Sequence, residues 1–297
     1  MLGFLIIACM RVVQAICNKK ASKLVVGKQR FFAFGAFEQL VAAAVGFLCL
    51  CQTGFYGWNM ETILCSLCTS VFMAICLFAD LEAMKGAPLA ICTVFSMGGL
   101  FVPCVLGIFL FDEPMSALQW LALLLFVVSI YLLGTGTAAG KKLTMKTVIM
   151  LILSCLANGF VMLVQKYYAA RVENQNAALY SCLMFCFSAV ILTCCFLWQV
   201  GVQKREQSVD NRKISAGFPK QLFLYGSALA VALSVINLVV TMLAKTFPSV
   251  VLYTLSSFIS IAITALVGIV VFKERMTVKN MIGILLGVLS IVLSNMY

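Results

Sequence analysis

The apolar residues of this chain come in long unbroken runs, and that pattern limits the fold more than any other feature. The runs cover 2–17, 32–51, 62–79, 88–111, 118–134, 147–165, 177–200, 222–244, 249–272 and 280–296. Each is close to the ~20 residues that carry a helix across a bilayer. None shows the alternation of lipid-facing and lumen-facing residues found in barrel strands. Backbone polar groups in lipid must be satisfied within the segment, so continuous runs read as helices. At 63% hydrophobic and 10% charged residues, 297 residues could not present a water-compatible surface. The longest polar connection, Gly201 to Lys220, is expected to be a loop. The first run is expected to be a retained helix and not a cleaved signal. It lacks a basic leader, Arg11 interrupts it, and no small-x-small cleavage site precedes Asn18.

Two stretches say nearly the same thing 161 residues apart. Phe111-Asp112-Glu113-Pro114-Met115 and Phe272-Lys273-Glu274-Arg275-Met276 each separate two apolar runs. Carrying that offset across residues 93–132 gives 13 identities in 40 positions, among them Ser96/Ser257, Gly107/Gly268, Glu113/Glu274 and Ser129/Ser290. Chance in so apolar a composition gives roughly three or four, so the chain reads as a duplicated unit. The expected units are 1–140 and 141–297.

Charge placement predicts orientation. Connections after odd-numbered runs hold 17 of the 21 Lys and Arg residues, those after even-numbered runs hold Lys166, Arg171 and Lys245, and Arg11 lies inside a run. The positive-inside rule then puts the odd connections in the cytoplasm and both termini outside. Five crossings per unit make the second unit enter in the opposite sense, an inverted repeat. The expected fold class is therefore all-α integral membrane, ten transmembrane helices as two inverted five-helix repeats. A net charge of +11 could suggest nucleic acid, but dispersed cations do not form a binding face, and no nucleic-acid partner is expected.

These features resemble the drug/metabolite transporter superfamily, EamA type. The resemblance rests on two five-helix units, an aromatic-x-Glu turn after the fourth helix of each, and the glycines of Gly283-Ile284-Leu285-Leu286-Gly287 in the last helix. Prolines 88 and 248 at the start of both fourth helices add to it. The family often has Gly before the turn glutamate, where Asp112 and Lys273 stand here. The first unit has Ala122 and Phe126 in place of Gly283 and Gly287. The resemblance implies a secondary transporter of a small organic metabolite such as an amino acid, acting outward by alternating access in a bacterial inner (plasma) membrane.

Polar groups deep in lipid are costly and so mark function. Arg11, Gln14 and Asn18 share one face of the first helix, and Glu38 and Gln39 stand in the second. Arg11 and Glu38 each lie seven residues from the expected interface, roughly 10 Å deep, which makes an ion pair between them an expectation. That pair could lock two helices or hold a polar or zwitterionic solute. Alternatively, Glu38 could carry a proton in multidrug efflux of lipophilic cations, which would call for an aromatic-lined cavity with Glu38 free of Arg11. In the second unit Asn158 and Gln165 repeat the spacing of Arg11 and Asn18, and an offset of 147 also superposes Lys19 on Lys166. Asn237 and Tyr253 complete the candidate solute-binding set, with helix-to-helix hydrogen bonding as the alternative role. Glu113 and Glu274 are expected to hold turns. Gly98, Gly99 and Pro103 are expected to bend the fourth helix.

No catalytic constellation is present. The chain has no histidine, no nucleophile elbow and no phosphate-cradling loop, so neither enzyme activity, a cofactor nor a bound metal is expected. The 14 cysteines, including the Cys65-x-x-Cys68 pair, read as packing residues in a reduced setting. Gly283 and Gly287 permit close helix approach, either to a neighbouring helix or to a second protomer in a homodimer. A membrane partner protein without transport activity is a further alternative, for which no accessible cavity is expected.

Overall fold

A computed structural model describes residues 2–110, 116–135, 143–207, 220–247, 249–273 and 277–294. Glu113, Glu274, Asp112, Pro248 and both chain ends lie outside the described residues. All regular elements among the described residues are helical. In order they are α1 (Leu2–Leu24), α2 (Lys28–Thr53), α3 (Met60–Gly86), α4 (Leu89–Met97), α5 (Phe101–Leu110), α6 (Ala117–Thr135), α7 (Met145–Arg171), α8 (Ala177–Gln207), α9 (Lys220–Ala244), α10 (Ser249–Val270) and α11 (Val278–Ser294).

A 3-10 turn at Gly98–Leu100 joins α4 to α5, at the place where the glycine pair and Pro103 suggested a bend. Pro88 is the N-cap of α4, one residue outside the helix. Among the described residues, six stretches are long and apolar enough to cross a membrane: α2, α3, α4–α5, α7, α9 and Ala177–Gly201 of α8. Shorter apolar stretches lie in α6, α10 and α11.

Several helices outrun the apolar runs that announced them. α1 continues through Asn18 to Leu24, and α3 continues past position 79 to Gly86. The extra turns are polar, and buried lysines tie down the far ends of two helices. Lys19, 8% exposed, donates to the carbonyls of Met84 (3.3 Å) and Ala87 (2.9 Å) at the end of α3. Lys166, 5% exposed, donates to those of Ala244 (3.4 Å) and Phe247 (2.9 Å) at the end of α9. The last carbonyls of a helix have no intrahelical partner, and a cation there also meets the negative end of the dipole. The sequence reading placed both lysines in connecting loops. They are helical, buried, and bonded to another helix.

The helices pack in a definite pattern. α2 lies on α8, α6 on α11, α3 on α7 and α1 on α9. α1 also meets α10, while α7 meets α4 and α5. Small residues set the closest approaches. A Cβ on Gly46 of α2 would stand 3.0 Å from the Cα of Cys182 on α8. A Cβ on Gly159 of α7 would stand 2.5 Å from the carbonyl oxygen of Gly99. Gly283 and Gly287 are both buried on α6 of the same chain: Ser129 donates to the Gly283 carbonyl at 2.6 Å, and a Cβ on Gly287 would meet the Ser129 Oγ. Of the two partners considered for that glycine face, the neighbouring helix α6 lies against it. Ser290 of α11 donates in return to the carbonyl of Ala122 on α6. All 14 cysteines are thiols not joined in disulfides.

One buried asparagine joins three elements. Asn176 accepts from the amides of Ala178 and Leu179, capping α8. Its Nδ2 donates to the carbonyls of Gly54 and Tyr56 in the α2–α3 connection. Its backbone exchanges two hydrogen bonds with the Tyr168 hydroxyl on α7.

The turn after α10 explains one departure from the family pattern. Lys273 has φ of 50°, in the left-handed region that glycine enters without cost. The resemblance puts glycine at this position, and here a lysine adopts the same backbone shape.

Candidate functional site

Seven helices, α1, α2, α3, α4, α7, α9 and α10, converge on one cavity of about 110 Å³. More than half of its lining side chains are polar, and Tyr253 is the one aromatic residue among them. All seven residues singled out in the sequence, Arg11, Gln14, Glu38, Asn158, Gln165, Asn237 and Tyr253, stand on its wall.

Three of these spend their donors on neighbouring helices, and a fourth, Asn237, spends its amide within its own helix. Asn158 donates to the Ser96 carbonyl at 2.8 Å and Tyr253 to the Met162 carbonyl at 2.7 Å. Gln165 donates to the Thr241 Oγ1 at 2.6 Å and to the Asn237 carbonyl at 3.1 Å. Asn237 returns its amide to Leu233, one turn back in α9. These bonds fix the wall, because a polar side chain left without a partner in lipid is costly.

The expected Arg11–Glu38 ion pair is not formed. Arg11 donates to the Gln14 Oε1 at 2.6 Å, and its electrostatic neighbour is Asp80 on α3. Equal depth placed Arg11 and Glu38 at one level of the membrane but did not fix the direction in which either helix faces. α1 packs mainly on α9, α10 and α3, which turns Arg11 toward α3.

Asp80 is the site residue that sequence reasoning missed. It accepts from the Ser154 hydroxyl of α7 and from the Cys76 thiol one turn back. The apolar run stopped at 79, so Asp80 read as the start of a loop. The signal lay in the spacing: Met73, Cys76, Leu77, Asp80 and Met84 follow a helical stripe, and all line the cavity.

Glu38 is fully buried, and neither carboxylate oxygen has a hydrogen-bond partner among the described residues. Its neighbour Gln39 is also fully buried, with both amide atoms unpartnered. The Asn18 Oδ1 and the Arg11 Nε are unpartnered as well, and all four residues line the cavity. Native proteins leave few buried polar atoms without partners, so this concentration in one place marks the cavity.

The profile of the EamA-like transporter family matches residues 145–296, just over half of the chain. The chain belongs to the EamA-like transporter family. That family is part of the drug/metabolite transporter superfamily, so this is an integral membrane protein of a transporter family. No curated protein matches the sequence. A solved structure described as "Crystal structure of protein" superposes with a TM-score of 0.67 at 15% identity, covering 99% of this chain and 95% of the other. At that identity the likeness speaks for the fold alone.

Proposed function

We propose that this EamA-like chain is a secondary transporter that carries a small polar organic solute by alternating access between two inverted five-helix units, about 1–140 and 141–297. The observation that carries this reading is the cavity, lined by both polar and apolar side chains, where helices from both parts of the chain meet. A non-transporting membrane partner would need no such cavity.

The packing pattern supports the two units. Exchanging α1, α2, α3, α4–α5 and α6 for α7, α8, α9, α10 and α11 converts the α1–α9 contact into α7–α3, and α1–α10 into α7–α4–α5. The α2–α8 and α6–α11 contacts map onto themselves. Ser129 and Ser290, 161 residues apart, donate to Gly283 and Ala122, also 161 apart. Such reciprocal contacts are what a two-fold relation between halves produces. On this reading ten helices cross the membrane, counting α4–α5 as one. Both termini lie outside by the charge rule, and the outward direction and bacterial inner membrane rest on the family resemblance alone.

One observation favours a second reading, proton-coupled efflux of lipophilic cations: Glu38 has no neighbouring cation. The single aromatic residue on the wall works against it, since such ligands are held by aromatic faces. The test is solute counterflow in proteoliposomes with a metabolite panel, with and without a pH gradient, for wild type and Glu38→Gln. Exchange of a polar metabolite by wild type supports the main reading. Exchange confined to lipophilic cations, and dependent on both the pH gradient and Glu38, would replace it with the second.

A further inference from the structure

We propose that Glu38, with Gln39 and Asn18 on the same cavity, forms a subsite for the protonated amine of a small solute, and that the wall is the poorer match for a carboxylate. The proposal rests on the transporter reading and narrows its solute from an amino acid to an amine.

Charge carries the first part of the argument. Among the described residues, the cavity wall holds one cation, Arg11, and two carboxylates, Asp80 and Glu38. Arg11 is bonded to Gln14 and has Asp80 as its electrostatic neighbour, so that cation has a counter-charge on the wall. Among the described residues, Glu38 has no hydrogen bond and no cation acting on it. A carboxylate out of water without a partner is strongly unfavourable, and a cation brought in by the ligand removes that penalty.

The unpartnered atoms carry the second part. Glu38 offers two acceptor oxygens, Gln39 one and Asn18 one, against the Gln39 amide and the Arg11 Nε as donors. A primary ammonium has three donors and no acceptor, which matches an acceptor-rich cluster. A solute carboxylate would need the guanidinium, and Asp80 already occupies its electrostatic field. The cavity volume of about 110 Å³ suits a small amine. It is of the order of the ~150 Å³ hollow that takes a single benzene ring.

Glu38 has no surface open to the cavity in this conformer. An ammonium therefore reaches it as the wall parts around it, and contact is made in a site free of bulk water. Buried groups that lose a partner discriminate strongly against ligands lacking the matching group.

The test is calorimetric titration of the purified full-length chain in detergent with isobutylamine, valine and isobutyrate. The expected result is that isobutylamine binds tighter than either of the others by about tenfold or more. Glu38→Gln should remove about that factor from the amine, whereas Glu61→Gln, at an exposed position of α3, should leave it unchanged. Valine or isobutyrate binding as tightly as the amine overturns the proposal, as does a wild type that binds none of the three. If Glu38→Gln leaves amine binding intact and alters only the pH-gradient dependence of transport, Glu38 is a proton carrier and the subsite is wrong. If the variant does not fold, the wild-type ranking decides alone. Amine binding without any solute exchange in vesicles would sink the transporter reading and leave the subsite standing.

Discussion

Lys19 and Lys166 make the same two bonds, to carbonyls three residues apart, at the ends of two different helices. The lysines are 147 residues apart and their acceptors 160, so both copies of the arrangement persist although the surrounding sequences have diverged. Replacing either lysine by Met keeps the stem and removes the charged donor. Hydrogen bonds to charged groups contribute about 1.5–3 kcal/mol, and a loss of that order is expected for each variant. Thermal unfolding in detergent checks this, and a variant as stable as wild type would reduce the lysines to passengers.

Asn176 combines a cap with two bonds to a neighbouring connection, and two variants separate these roles. Asn176→Asp keeps the capping oxygen and loses the donors to Gly54 and Tyr56. Asn176→Ala loses both. An N-cap contributes about 0.5–2 kcal/mol, so Ala should be the less stable of the two by roughly that amount. Equal stability of the two variants would show that the cap contributes nothing here.

Asp80→Asn keeps an acceptor for Ser154 and deletes the charge facing Arg11. A cation left without its counter-charge is destabilising. Since both side chains are half-buried at the cavity, the expected loss is about 1–3 kcal/mol, below the 3–5 of a fully buried pair. Adding Arg11→Gln should recover most of that stability without restoring solute exchange. A double variant less stable than Asp80→Asn alone would mean the two charges do not act as a pair.

Gly159→Ala forces a methyl against the Gly99 carbonyl and the Val102 side chain. Overpacking of this kind costs about 1–3 kcal/mol. Gly201 on α8 has nothing within 4 Å of a built Cβ, so Gly201→Ala should be neutral or slightly stabilising. Thermal unfolding of the two variants side by side gives the comparison.

Orientation is open to chemical labelling. In a background with the 14 native cysteines replaced, Val26→Cys between α1 and α2 should react only with a reagent that reaches the cytoplasm. Tyr56→Cys between α2 and α3 should react from outside. The reverse pattern overturns the proposed placement of the termini.

Much of this site was legible because lipid makes polarity conspicuous. Arg11, Glu38, Asn158 and Gln165 interrupt apolar runs, and all four reach the cavity. What the runs could not convey was direction around each helix. Depth along an axis paired Arg11 with Glu38, and the packing of α1 gave it Asp80 instead. Ends were the other blind spot. A run ends where charge begins, while a helix ends where its last carbonyls find partners. Asp80 and Lys19 therefore read as loop residues and are both helical. The glycine face of α11 was recognisable as a contact surface, but its partner, α6, lies far away in sequence.

The Gly99–Gly159 contact sets main chain against main chain with no side chain between them. An interface of interlocked side chains holds its register through rotamers that must be exchanged before anything slides. A glycine seam has few such teeth. Here Asn158 is bonded across it to the Ser96 carbonyl, and the Val102 side chain stands against the Gly159 face. The junction between the interrupted helix and α7 is therefore close along its backbone and pinned at its edges.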